Sequence, residues 1–118
     1  MKTEIINVTL TAEPLQFTMA ERKSFKISIA ATNQGDEVID PELYRAKLSI
    51  NGEDSIVWMR AIGNGGREKK WFALPPGEMV SLTWPTLDES LFPNPGSFEL
   101  VLHYFDTELA PIQVQVFA

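Results

Sequence analysis

Apolar residues recur at every second position along most of the chain. Leu15, Phe17 and Met19 alternate with polar neighbours, and so do Phe25, Ile27 and Ile29, running on to Ala31. Ala46, Leu48 and Ile50 repeat the pattern, as do Val80, Leu82 and Trp84, then Phe98, Leu100, Leu102 and Tyr104, and finally Ile112, Val114 and Val116. A period of two puts one face of an extended segment on a core and the other in water, as in the half-buried strands of antiparallel sheets. No segment sustains the 3.6-residue period of an amphipathic helix. The best helical stretch, Leu87–Phe92 between Pro85 and Pro93, amounts to a turn or two.

Turn chemistry separates the runs. Asn33-Gln34-Gly35-Asp36 ends one strand, and Asn51-Gly52 is a hairpin signal because both turn positions need positive φ. Pro75-Pro76-Gly77 fits a type II turn, with proline setting φ and glycine taking the left-handed position. Pro93-Asn94-Pro95-Gly96 precedes the strand at Phe98, and Pro111 opens the last strand, where a missing N–H does least harm. About eight short strands with regular turns and no long helix predict an all-β fold, an immunoglobulin-like β-sandwich of two antiparallel sheets. A closed barrel is the alternative. The expected core is Phe25, Ile27, Ile29, Leu48, Ile50, Val80, Leu82, Trp84, Phe98, Leu100, Leu102 and Tyr104.

A chain of 118 residues reads as one domain spanning 1–118. Area scaling gives a folded surface of roughly 6,500 Å² against roughly 19,000 Å² unfolded, enough burial for a core without metal or disulfide. There is no cysteine and one histidine, which excludes a disulfide scaffold, a thiolate metal site and a multi-histidine centre. The net charge of −6 disfavours nucleic acid and anionic membrane surfaces, and no apolar run has the length of a membrane span. No cofactor, structural metal or membrane insertion is expected. If Met1 is the native start, the chain is expected in the cytoplasm; if it is a module of a longer protein, the cell surface or periplasm is expected.

Several constellations have a chemical and a plain explanation. Gly63–Gly66 lacks both the dinucleotide and the P-loop spacing, and reads as a flexible loop between strands. Asp36, Glu37, Asp40 and Glu42 offer oxygens to calcium without EF-hand spacing, so solvated loop acids are the simpler explanation. Asp88 and Glu89 are adjacent and do not face each other across a substrate. His103 falls on the outer parity of its strand with no evident nucleophile or orienting acid. Arg67, Lys69 and Lys70 beside Trp71 and Phe72 form a basic patch that the overall negative charge argues against as a nucleic-acid site.

The segment from Phe25 onward resembles bacterial immunoglobulin-like modules. The resemblance is carried by Thr32-Asn33-Gln34-Gly35, Leu48-Ser49-Ile50-Asn51-Gly52, Leu74-Pro75-Pro76-Gly77-Glu78 with Leu82-Thr83-Trp84, and Pro95-Gly96-Ser97-Phe98-Glu99-Leu100. Their order is similar to the cell-adhesion-related (CARDB-like) modules of bacterial and archaeal surface proteins, and to the bacterial intracellular proteinase-inhibitor family. Turn and strand features of this kind imply the fold and say little of function.

The expected function is a non-catalytic binding or interaction module whose partner is another protein. One alternative is a proteinase inhibitor presenting a loop such as Gly63–Lys70. Another is a carbohydrate-binding module that stacks exposed tryptophans on sugar rings. Around Ile56-Val57-Trp58-Met59 and Trp71-Phe72, apolar residues occupy both parities, so one set must be covered by something beyond the strand's own core. Trp58, Arg60, Asn64, Arg67 and Trp71 are therefore the expected binding face, since tryptophan and arginine dominate binding hot spots.

Overall fold

The computed structural model describes residues 5–64, 68–84 and 91–118. Its strands are β1 (Ile6–Glu13), β2 (Gln16–Thr18), β3 (Lys26–Asn33), β4 (Lys47–Ile50), β5 (Glu53–Asp54), β6 (Met79–Trp84), β7 (Gly96–Tyr104), β8 (Thr107–Glu108) and β9 (Ile112–Phe117). A three-stranded sheet runs β1-β3-β6, and a second sheet runs β2-β9-β7-β4-β5 with β8 paired to β7. The inner faces of the two sheets share one apolar core, so the chain is an all-β sandwich.

Registers follow the alternation. β1 and β3 pair without interruption from Ile6↔Asn33 to Glu13↔Lys26. β7 is flanked by β4, with Leu48 opposite Leu102, and by β9, with Phe98 opposite Val114. One correction concerns strand direction: β2 pairs parallel to β9, with Phe17 opposite Val116, so the second sheet is not wholly antiparallel. Pro14 has no N–H with which to lengthen the β1–β3 ladder. The chain leaves that sheet there, and three residues suffice to lodge Phe17, only 4% exposed, at the core's end while Leu15 stays exposed.

Phe25, Ile27, Ile29, Leu48, Val80, Leu100, Leu102 and Tyr104 are buried, whereas Ile50, Leu82, Trp84 and Phe98 are partly buried and packed against them. Phe17, Phe25, Phe92 and Phe98 close one end of the core through ring contacts of 4.9–5.6 Å. Of the expected helical stretch, residues 87–90 lie outside the described residues, and Leu91 and Phe92 are buried.

The turns form as their residues require. Asn51 and Gly52 take φ of 51° and 86° between β4 and β5, and Gly77 takes 75° where the Glu78 N–H reaches the Pro75 carbonyl. Asn33 is fully buried and satisfied: its amide donates to the carbonyls of Glu37 and Leu74, and its oxygen accepts from the Gly35 N–H.

The Tyr104 hydroxyl donates to the Pro41 carbonyl across 2.5 Å. Burial, with the Asp40 carboxylate adding to it, pushes this phenol up to about 12. The folded value exceeds the unfolded value of about 10, so the stabilisation is complete below about pH 10 and disappears as pH rises through about 12. Urea titrations should show a stability difference between wild type and Tyr104→Phe that is flat near neutrality and falls across this alkaline window. A difference that stays constant through it would mean that Tyr104 does not titrate with folding.

Candidate functional site

Where apolar residues occupy both parities, the chain is helical. α1 spans Ile56–Asn64. Ser55 caps it: its Oγ accepts the Trp58 N–H at 3.1 Å, and its own N–H donates to the Leu48 carbonyl at 2.8 Å, tying the helix start to β4. Trp58 and Ile62, four residues apart, share the buried face and are 0% and 1% exposed. Ile56, Met59 and Arg60 lie on the exposed side. The expectations of no real helix and of a strand-to-strand loop at Gly63 are thus corrected, since Gly63 belongs to α1.

The expected binding face changes with it. The Trp58 indole N–H donates to the Ala46 carbonyl at 3.0 Å, and its ring meets Trp84 edge-on at 4.9 Å. Trp71, at the end of the 3-10 turn Lys69–Trp71, is 3% exposed. Both tryptophans are core residues, buried by their own chain, so neither can lead a binding face or stack on a sugar. Arg60 remains exposed, Asn64 closes α1, and Arg67 lies outside the described residues, as does much of the loop of the inhibitor alternative. Of the basic patch, Lys70 pairs with Glu78 at 2.8 Å, and this hydrogen bond raises its pKa.

A different surface lies beside Trp58. A cleft of about 100 Å³ opens between the 3-10 turn Leu43–Arg45, β4 and α1, lined by Tyr44, Ala46, Leu48, Trp58 and Met59 among others. Tyr44, Ile56 and Met59 are 51%, 60% and 53% exposed. Arg45 and Lys47 border the cleft, with the Arg45 guanidinium over the Phe105 ring at 5.3 Å. The signal for this surface was present in the sequence: Ser55 as a cap, then Trp58 and Ile62 at helical spacing.

His103 does acquire neighbours. Its Nε2 is 3.3 Å from the Ser49 Oγ, and its Nδ1 is 3.5 Å from Glu108, in the order nucleophile, base, acid. These are cross-strand neighbours on the outer face of β4, β7 and β8. Ser49 pairs with Val101 in the β4–β7 ladder, which uses its N–H, so that group is not free to stabilise an oxyanion. Among the acids of the 36–42 loop, Asp40 accepts the Glu42 N–H at 2.8 Å. Among the described residues, no three histidine or acidic side chains group as metal ligands, and no helix is long and apolar enough to cross a membrane.

No protein-family model matches the chain, and no curated protein matches it. Solved structures do. A CARDB domain from Pyrococcus furiosus, in complex with di-metal ions, matches at 16% identity and a TM-score of 0.54, over 95% of this chain and 92% of that one. A β-glucosidase of Erythrobacter marinus matches at 16% identity and a TM-score of 0.55, over 94% of this chain but 15% of its own. A Listeria innocua β-glucosidase in complex with gluconolactone matches at 15% identity and a TM-score of 0.52, over 96% of this chain and 16% of its own. The chain thus has a CARDB-like, immunoglobulin-like fold and corresponds in length to a small part of the glucosidases.

Proposed function

We propose that the chain is a non-catalytic interaction module that holds an apolar segment of another protein against the outer side of α1. The observation that carries this reading is that Tyr44 and Met59, both more than half exposed, line a cleft floored by the buried Trp58, with the exposed Ile56 three residues before Met59 on α1. Exposed apolar side chains concentrated at one cleft are the usual mark of a contact surface. Met59 adapts its shape to a partner, and Tyr44 offers a rigid ring with a polar tip. Trp58 supports the surface from beneath, a positioning role in place of direct contact. The Ser49–His103–Glu108 neighbours do not favour an enzyme, because the Ser49 N–H is occupied in its ladder.

Panning a random peptide library on the immobilised protein tests this. Selected peptides should be apolar, and their amide shift changes should map to α1 and the Leu43–Arg45 turn. Met59→Lys should weaken a selected peptide by about tenfold or more while leaving the melting temperature nearly unchanged. Shift changes confined to another surface, or a peptide indifferent to Met59→Lys, would sink the proposal.

A further inference from the structure

We infer that the free edge of β1 is a self-pairing interface, at which two copies of the chain join antiparallel about Thr9 and merge their three-stranded sheets into one. β1 is an outer strand of its sheet, and its eight residues carry no proline, no lysine and no break in register. Such an edge is a template for another strand. The other sheet ends differently, in a strand of three residues and in the acidic pair Glu53–Asp54.

The backbone settles which groups are available. The Gln34 N–H donates to the Ile5 carbonyl, so hydrogen-bonded pairs with β3 recur at Asn7↔Thr32, Thr9↔Ala30, Thr11↔Ser28 and Glu13↔Lys26. The N–H and C=O groups of Ile6, Val8, Leu10 and Ala12 therefore point away from β3, to the free edge. Among the described residues, no backbone hydrogen bond from another segment reaches them. In a second copy placed antiparallel with Thr9 opposite Thr9, Ile6 faces Ala12 and Val8 faces Leu10. Every one of those outward groups then has a partner. A shift of two residues toward the C-terminus brings Pro14, which lacks an N–H, opposite Ile6.

The same register matches side chains. Val8 and Leu10, both partly buried, meet on the core side, while Asn7, Thr9 and Thr11 meet on the exposed side. The only charge on β1 is Glu13, at its end, so no like charges oppose each other although each chain carries −6. A two-fold contact uses the edge of each copy once and closes as a dimer.

Sedimentation across a range of concentrations tests the interface. Wild type should pass from monomer to dimer. Thr9→Lys, which places two ammonium groups opposite each other at an exposed position, should move that transition to several-fold higher concentration. Its melting curve at monomeric concentration should match wild type, showing an intact fold. Mixing Thr9→Lys with Thr9→Glu chains should restore dimers above either alone. A wild type that stays monomeric throughout, an unchanged transition in Thr9→Lys, or a mixture with no gain would each overturn the inference.

Discussion

Trp58→Ala should be the most damaging single substitution in the chain, at about 3–5 kcal/mol from lost burial and the cavity left behind. The ring is fully buried, packs edge-on against Trp84 and donates its N–H to the Ala46 carbonyl. Truncation also leaves that carbonyl without its donor, which adds about 1–3 kcal/mol unless water replaces it. Trp58 fastens α1 to the strip between the Leu43–Arg45 turn and β4, so the helix loses its main anchor as well. Urea denaturation would register the loss as a lower midpoint, and Trp58→Phe should recover much of it by keeping a ring in place. A cost for Trp58→Ala below about 1 kcal/mol, typical of a surface site, would mean that the indole is not a core residue.

Leu100→Ala should cost about 2–5 kcal/mol. Leu100 is 0% exposed on β7, where it stands opposite Ile50 of β4 and Ile112 of β9. Both neighbours belong to ladders that hold their backbones apart, so the space left by the side chain is slow to close, and the cost falls toward the upper part of that range. Thermal unfolding should shift downward by roughly 4 °C for each kcal/mol lost. A shift of only one or two degrees would show that this position relaxes freely and that the central strand is not rigidly packed.

The strands were legible because a strand's side-chain period is a local property. Ile27, Ile29 and Ala31 must share a face of any extended segment, and they do so in β3. The turns were legible for a similar reason: Asn51-Gly52 and Pro76-Gly77 admit few backbone conformations, whatever surrounds them. α1 escaped the same logic. Its nine residues give the 3.6-residue period little room to repeat, and apolar side chains on both its buried and exposed sides imitate a strand that is apolar on both faces.

The sequence by itself determined the all-β character, the positions of the main turns and most of the core, since each follows from neighbours a few residues away. Tertiary structure decided the rest. Trp58 is buried because residues 46 and 84, distant in the chain, meet over it, and Tyr44 and Met59 border one cleft because β4 brings the turn and the helix together. Which way β2 runs was likewise set by β9, whose position reflects pairing with β7. Burial is a sum over contacts between distant segments, and a residue's own type and spacing contain only half of each contact.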